Sequence, residues 1–288
     1  MQAKEVLPLK RSEYLARRRR ARVAAMMLFA LIMGFVSAAP PVVTGCQAQD
    51  LTPVPDTSVL SPAVSALAQE QQEPAAQPLP EKWVCLTFDD GPSKTTPDVL
   101  NALNSAGVHA TFFVVATGHN EKYLPLLTEA VSAGHQIALH SASHEYSDIY
   151  RSSEAYWADI ALLKERIAPY VDAESIRYLR FPGGSTNTVS RRYGGKGLMK
   201  QLKAEVEQKG WQWVDWNVCA EDAVGGHPSA DTIYRNVVRE TGQQTNCIVL
   251  MHDSASTRTT AEALPDIIRW YADQGFAFLT VAEALPIG

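Results

Sequence analysis

From Trp83 to the C-terminus, short apolar runs alternate with longer stretches of helical periodicity, and this alternation limits the fold more than any other feature. Seven runs have the length and composition of β-strands: WVCLTF, HATFFVV, HQIAL, IRYLRF, WQWVDWNV, NCIVLMH and FAFLTV. Helices are predicted near residues 97–106, 122–133, 153–168, 198–209, 229–240 and 260–273. Such alternation predicts an α/β fold with a parallel sheet, either closed into a barrel or open and doubly wound.

Charged and imidazole side chains follow several of these apolar runs. In either kind of parallel sheet the carboxyl ends of the strands form one edge, and functional sites lie there. The residues at or just after a run are Asp89, Asp90, His140, Arg180, Asp215 and His252. We therefore expect a single site, assembled from residues that are far apart in the sequence.

The first 46 residues predict a signal peptide or a membrane anchor. Residues 1–22 contain eight Lys or Arg and two Glu, a net charge of +6, and an uncharged apolar stretch then extends to Gly45. Because Lys and Arg stay on the cytoplasmic side, the rest of the chain is expected outside the cytoplasm. The tetrapeptide VTGC resembles a lipobox, which makes Cys46 a candidate for lipidation. Ordinary signal cleavage at Ala38-Ala39 and an uncut helix are the alternatives, and tethering by lipid or helix is the favoured interpretation.

Residues 47–80 are rich in Gln, Pro, Ala, Ser and Glu, a composition that predicts a flexible linker. One catalytic domain is then expected over residues 81–288. Beyond residue 22 the chain carries 18 Lys or Arg and 29 Asp or Glu, a net charge of −11, which argues against nucleic acid as a partner. No pattern predicts a protein partner. The cysteines other than Cys46 show no CxxC spacing, so a disulfide framework is not expected.

The segment TFDDGP places two carboxylates, Asp89 and Asp90, at the end of the first predicted strand. The following Gly91 and Pro92 force a turn, at which two neighbouring side chains can converge. Because two buried carboxylates repel each other, one of them requires a cation, while the other could accept a proton. A solvated turn is the alternative for this segment taken alone.

The segment HSASH places His140 and His144 four residues apart, the separation that puts two imidazoles on one face of a helical turn. Two histidines and an aspartate would bind a metal and leave positions open for water. His252 follows a buried apolar run and could donate a proton near neutral pH. Each pattern alone is common among structural residues, but the three together favour a functional site.

Taken together, the segments TFDDGP, HSASH, RFPGG, WNV and LMHD resemble, in order and approximate spacing, those of the polysaccharide deacetylase family. This family is also known as carbohydrate esterase family 4, or by its NodB homology domain, and the resemblance covers about residues 82–286. It implies a distorted (β/α) barrel of about seven strands that hydrolyses N-acetyl groups. It also implies a divalent metal, usually zinc, with cobalt or another transition metal as alternatives.

The resemblance assigns roles to the residues of the first two segments. Asp90, His140 and His144 are implied to be the metal ligands. Asp89 is implied to be the general base that activates water.

Four further residues take their roles from the same resemblance. His252 is implied to protonate the departing amine, and Arg180 to pair with the general base and orient it. The main-chain N–H of Gly183 is implied to stabilise the oxyanion, and Leu250 to line the pocket for the acetyl methyl group.

The chain departs from the family in two places. An Asp of the fourth motif usually pairs with the catalytic histidine, and Cys219 stands at the aligned position. Asp222 is the first candidate to replace it, followed by Asp215 or Glu221; without any anionic partner the pKa of the histidine would fall. Gly183 stands where many relatives carry a tyrosine, which keeps the backbone donor and widens the site.

The substrate expected for such a chain is a cell-wall polysaccharide, above all the N-acetylglucosamine or N-acetylmuramic acid of peptidoglycan. The enzyme would be anchored outside the cytoplasm, or secreted if the signal is cleaved. Chitin-like oligomers or an exopolysaccharide are the alternative substrates. A catalytically silent, metal-stabilised glycan-binding module is the alternative of a different class.

Overall fold

The computed structural model of the chain describes residues 78–287. The predicted signal or anchor over residues 1–46, with Cys46, and all but the last three residues of the predicted linker lie outside the described part. Within residues 78–287, no helix combines the length and the apolar character needed to cross a membrane.

The described residues form eight strands and nine α-helices that alternate along the chain. The strands are β1 (Trp83–Asp89), β2 (Thr111–Val115), β3 (Gln136–Ser141), β4 (Tyr178–Leu179), β5 (Gln212–Trp213), β6 (Val218–Cys219), β7 (Asn246–His252) and β8 (Ala277–Phe278). The helices are α1 (Thr96–Ala106), α2 (Leu126–Ser132), α3 (Tyr146–Ile149), α4 (Ser153–Ile167), α5 (Val189–Gly194), α6 (Leu198–Gln208), α7 (Ala230–Thr241), α8 (Arg258–Asp273) and α9 (Val281–Ala284). A 3₁₀ turn over Glu121–Tyr123 precedes α2.

All strand pairs are parallel, and the strand order is β5-β4-β3-β2-β1-β7-β6. The short strand β8 pairs with the beginning of β1. Seven strands thus form a continuous curled sheet, with helices between all successive strands except β5 and β6, which confirms the predicted distorted (β/α) barrel. Because the strands are parallel, their carboxyl ends lie along one edge of the sheet.

The run WQWVDWNV does not form the single strand that its apolar character predicts. It divides into β5 and β6, which are the two outer strands of the sheet. The link begins with Val214 N–H donating to Leu179 O (2.9 Å) and ends with Asn217 N–H donating to Ile248 O (3.2 Å). An extended chain covers at most about 3.6 Å per residue. Because only residues 214–217 join the two outer strands, the two edges of the sheet stay close together and the sheet must curl.

The central strand β1 is buried along its whole length, as expected for a strand with neighbours on both sides. The longer helices pack on the sheet through one apolar stripe; in α6 this stripe is Leu198, Leu202 and Val206. The six predicted helices are present within a few residues of their expected bounds. The sequence does not predict the short helices α3, α5 and α9, because their four to six residues are too few to show a helical period.

Candidate functional site

Asp89 and Asp90 stand at the point where β1 ends in a turn. Asp89 is the last residue of the strand and is only 4% exposed. Asp90 has a φ of 69°, a left-handed conformation that interrupts the strand geometry. An oxygen of each carboxylate comes close to His140 Nε2, at 3.9 Å for Asp89 and 3.5 Å for Asp90. The turn therefore makes the two neighbouring side chains converge, as the sequence predicts.

The turn after Asp90 has room only for glycine. A Cβ on Gly91 would lie 2.1 Å from Oδ2 of the buried Asp253 carboxylate. Asp253 is fixed in turn by Thr96 Oγ1, which donates to the same oxygen at 2.6 Å. The position of Asp90 thus depends on a contact between the ends of β1 and β7.

His140 lies in β3, and His144 lies in the loop that follows it. The prediction of a helical turn across the two histidines is wrong, because His144 has a φ of 55° and the segment bends between β3 and α3. The two rings meet nevertheless, with centroids 5.2 Å apart. Their proximity comes from a loop and not from helical spacing.

Asp159 of α4 holds this loop in shape. Its Oδ2 accepts hydrogen bonds from Ser141 Oγ (2.6 Å) and Ala142 N–H (2.8 Å), and its Oδ1 accepts from the N–H (2.9 Å) and Oγ (2.7 Å) of Ser143. Ser141 Oγ accepts in turn from His144 N–H at 2.8 Å. The Asp159 carboxylate thus accepts hydrogen bonds from loop groups that have no partner in a helix or strand. Sequence reasoning missed Asp159, because nothing in α4 indicates which side chain reaches the loop.

Asp90, His140 and His144 form the one group of three metal-ligating side chains found within residues 78–287, with a ligand atom of each within 4.8 Å of the others. Asp90 Oδ1 lies 3.5 Å from His140 Nε2 and 3.3 Å from His144 Nε2. A tetrahedral cation held at 2.0–2.1 Å separates its ligand atoms by about 3.4 Å. The predicted ligand set is therefore gathered at a spacing that suits a small divalent cation.

The chemistry of the three side chains also fits a cation. Asp90 Oδ1 is buried and has no hydrogen-bond donor among the described residues. His140 Nδ1–H donates to Arg180 O at 2.7 Å, which fixes the tautomer and leaves the lone pair of Nε2 directed at Asp90. Burial lowers the pKa of His140 to about 3, so its imidazole is neutral, as a metal ligand must be.

Arg180 is completely buried and connects to Asp89. Its Nη1 donates to Asp89 Oδ1 at 2.7 Å and to Thr87 Oγ1 at 2.8 Å, while Nε donates to Val214 O at 3.0 Å. The guanidinium lies 4.0 Å from the centre of the Phe113 ring. Burial raises the pKa of Asp89, and the Arg180 charge opposes this effect. The arrangement leaves Asp89 Oδ2 facing the metal-ligating group.

Asp222 supplies the carboxylate that pairs with His252. Its Oδ1 accepts from His252 Nδ1–H at 2.9 Å, and its Oδ2 accepts from His252 N–H (2.7 Å) and Thr260 Oγ1 (2.8 Å). Burial alone would lower the pKa of His252, but the charge and hydrogen bond of Asp222, together with the charges of Asp90 and Asp89, outweigh burial and raise the pKa to about 10. The anionic partner missing at Cys219 is thus present three residues later.

Asp215 does not pair with His252, although the sequence left that role open to it. Its Oδ1 accepts from Ser185 N–H at 2.8 Å and its Oδ2 from Ser185 Oγ at 2.6 Å. Both carboxylate oxygens are therefore used to fix the loop that follows Gly183 and Gly184. The two glycines have φ values of 76° and 80°, which favour glycine over any other residue.

Leu250 lies two residues before His252 in β7, so both side chains project from the same face of the strand. Its register partner in β1 is Thr87, and the partner of His252 is Asp89. Leu250 is 7% exposed. The apolar side chain of Leu250 thus lies next to the strand ends that carry Asp89 and His252.

The chain resembles known proteins over the described domain. The family model described as "Polysaccharide deacetylase" matches residues 76–219, which include both aspartates of the first segment and the two histidines. A peptidoglycan-N-acetylglucosamine deacetylase of Bacillus cereus is 32% identical over 208 residues, covering 71% of this chain and 89% of the relative.

Two further relatives show the same likeness. The catalytic domain of a peptidoglycan N-acetylglucosamine deacetylase from Eubacterium rectale has a solved structure that superposes with a TM-score of 0.68 at 35% identity, covering 74% of this chain and 94% of that one. The peptidoglycan-N-acetylmuramic acid deacetylase PdaC of Bacillus subtilis is 31% identical, covering 70% of this chain and 38% of the relative.

Proposed function

Because this chain belongs to the polysaccharide deacetylase family, we propose that it hydrolyses N-acetyl groups of cell-wall polysaccharide and releases acetate. The proposed substrate is peptidoglycan, at its N-acetylglucosamine or N-acetylmuramic acid residues. One observation carries this proposal: the three metal-ligating side chains lie beside a carboxylate held by Arg180, on the same edge of the sheet as a histidine held by Asp222.

We propose that Asp90, His140 and His144 hold a divalent cation, with zinc as the first choice. When bound, such a cation polarises the acetyl carbonyl and lowers the pKa of water. Cobalt or another transition metal would fit the same two imidazoles and one carboxylate.

Asp89 acts as the general base in this proposal. Arg180 binds its Oδ1, so Oδ2 remains to accept a proton from the water that adds to the acetyl carbon. Burial, which raises the pKa of Asp89, makes the carboxylate a better base than a solvated aspartate. The N–H of Gly183 is the proposed donor to the oxyanion that forms on the carbonyl oxygen.

His252 acts as the general acid. With its pKa raised to about 10, its imidazolium carries a proton at neutral pH. Its Nδ1 is bound to Asp222, so Nε2 is the atom that gives a proton to the sugar nitrogen as the C–N bond breaks. The products are acetate and a free amine on the sugar. Leu250 is the proposed contact for the acetyl methyl group.

The names of the relatives support peptidoglycan as the polymer but include both of its sugars. Chitin-like oligomers and exopolysaccharides carry the same acetamide group and are the alternative substrates. The test is to incubate the purified domain with peptidoglycan, measure acetate, and determine by mass spectrometry which sugar has lost one acetyl group. Release of acetate that stops with a chelator and returns with zinc supports the proposal; a protein that binds glycan and never releases acetate contradicts it.

We further propose that the enzyme works outside the cytoplasm, tethered by its N-terminal segment. The support is the sequence alone: residues 1–22 carry a net charge of +6 and precede an uncharged apolar stretch, and Cys46 ends a lipobox-like tetrapeptide. Membrane fractionation and labelling with a palmitate analogue, comparing the full chain with its Cys46→Ala variant, distinguish a lipid anchor from a helix.

A further inference from the structure

The connection between β4 and β5 is unusually basic for this chain. Residues 175–204, which include β4 and most of its connection to β5, contain seven Lys or Arg and no Asp or Glu, although the whole chain has a net charge of −5. The next acidic residues, Glu205 and Glu207, lie in the second half of α6. Arg180 is buried on Asp89, Arg177 donates to the main-chain oxygens of Glu174 and Ile176, and Lys203 lies 4.4 Å from the Trp213 ring. The other four, here called the basic crossover, are exposed: Arg191, Arg192, Lys196 and Lys200.

Within residues 78–287, the charges of the basic crossover have no ion-pair partner. None of the ion pairs formed within residues 78–287 includes any of the four, and Arg192 instead lies 5.5 Å from the ring of the neighbouring Tyr193. Exposed cations on the outer helices differ, since Arg235, Arg258 and Arg269 each face an acidic side chain on the same helix. Uncompensated positive charge of this density attracts anions.

The chain path puts the basic crossover on the side of the sheet where the site lies. The polypeptide leaves β4 at its carboxyl end, passes through residues 180–197, and returns along α6 to the start of β5. Arg191, Arg192 and Lys196 precede α6, and Lys200 is in its first turn. All four therefore belong to the half of the connection nearest the site.

Direct contacts fix this segment against the site loops. Tyr150 Oη donates to Pro182 O at 2.7 Å, and Asn187 Nδ2 donates to Gly184 O at 2.7 Å. A Cβ on Gly194 would lie 2.5 Å from Tyr150 O, so the end of α5 packs directly on the segment that follows His144. The segment that carries Arg191 and Arg192 is thus anchored to Tyr150, in the segment that follows His144.

We propose that the basic crossover binds the carboxylate groups of peptide-substituted wall glycan while the adjacent site acts on an acetamide of the same strand. This inference rests on the proposed function and narrows its substrate class. Peptidoglycan carries stem peptides with free carboxylates, and Arg and Lys bind carboxylates through charge-assisted hydrogen bonds. Chitin-like oligomers have no such groups. The enzyme therefore prefers an acidic glycan to a neutral one of equal length.

The test compares two triple variants that change the net charge equally. One is Arg191→Gln, Arg192→Gln, Lys196→Gln; the matched control is Arg235→Gln, Arg258→Gln, Arg269→Gln on α7 and α8. For each variant, kcat/KM of acetate release is measured on three substrates. The first is soluble peptidoglycan fragments with free carboxylates, and the second is the same fragments after their carboxylates are converted to carboxamides. The third is neutral N-acetylglucosamine oligomers. The ratio of kcat/KM on free to amidated fragments is the readout.

We expect this ratio to fall about tenfold in the crossover variant and less than about twofold in the control, with the loss appearing mainly in KM. In the parent enzyme the ratio should fall as salt is added, because exposed charges are screened. An unchanged ratio in the crossover variant, or an equal fall in both variants, overturns the inference.

Two binding measurements complete the test. Sedimentation with vesicles containing phosphatidylglycerol tests a membrane role: a crossover variant that loses vesicle binding but keeps its ratio also overturns the inference. Sedimentation with insoluble peptidoglycan, untreated or amidated, measures binding without turnover. If the parent releases no acetate from any of the three substrates, the proposed function fails, and this binding comparison still decides the role of the cations.

Discussion

Asp89 and His252 are register partners at the carboxyl ends of the adjacent parallel strands β1 and β7, and each is held by a partner of opposite charge. Arg180 binds the carboxylate at 2.7 Å, and Asp222 binds the imidazole at 2.9 Å. In the proposed mechanism the two environments have opposite effects: Arg180 keeps Asp89 ready to accept a proton, and Asp222 keeps His252 charged. The carboxylate and the imidazole thus lie at the same height in the barrel, at the ends of neighbouring strands.

Replacing Asp89 by Asn should remove the proposed general base and leave the three proposed metal ligands intact. We expect kcat for acetate release to fall about 10²–10⁴-fold, the usual contribution of a positioned general base. Zinc binding, measured by calorimetry, should change little, because Asp89 is not one of the three clustered ligands. Asp98→Asn, which changes an exposed residue of α1, is the control. Loss of zinc binding together with activity would mean that Asp89 is a ligand instead.

Replacing Asp222 by Asn should change the pH dependence of the reaction. In the proposed mechanism His252 works in its protonated form, so activity should be lost as the pH rises through its pKa, which is raised to about 10. Removing the negative charge lowers that pKa, and we expect the alkaline limb of kcat/KM to move about one to three pH units towards neutrality. Asp231→Asn on α7 should keep the parent profile. An Asp222→Asn variant with an unshifted alkaline limb would show that His252 does not act as the acid.

Replacing Asp159 by Ala should weaken metal binding without touching a ligand. The four hydrogen bonds to the loop disappear, and His144 is no longer held at its left-handed φ. Outer-shell changes of this kind cost about 10–100-fold in affinity, which a zinc titration measures directly. Activity should recover in large part at saturating zinc. Glu165→Ala, exposed on the same helix, is the control, and equal affinity in the two variants would contradict the role of Asp159.

Replacing Gly184 by Ala should distort the loop that carries Gly183. The new Cβ would lie 2.9 Å from the Trp216 ring, at a φ of 80°. Gly210→Ala is the matched control, because its φ is 67° and no atom lies within 4 Å of the added carbon. We expect a loss in the free energy of unfolding of about 1–2 kcal/mol for the control, from backbone strain alone, and a larger loss for Gly184→Ala. Urea titration checks the stabilities, and only Gly184→Ala should lower kcat.

The strand ends of this chain could be predicted from its sequence. The buried strands are continuous apolar runs, and each run ends at a charged or polar residue that is costly to bury in the core. This is why Asp89, His140 and His252 were expected at one edge, and why the longer helices were predicted near their true bounds. The conformation of the HSASH segment was not predictable in the same way. Its shape depends on Asp159, a side chain that arrives from α4.

The sequence by itself determined the strand–helix order, the edge at which the polar residues collect and the charge difference between the N-terminal segment and the rest. Those properties follow from local periodicity and composition. Only the tertiary structure decided that WQWVDWNV divides between the two outer strands, that Asp215 holds Ser185 and that Asp222 holds His252. These outcomes depend on distances between residues that the chain brings together from different strands, and a carboxylate pairs with whichever donor the packing places within reach.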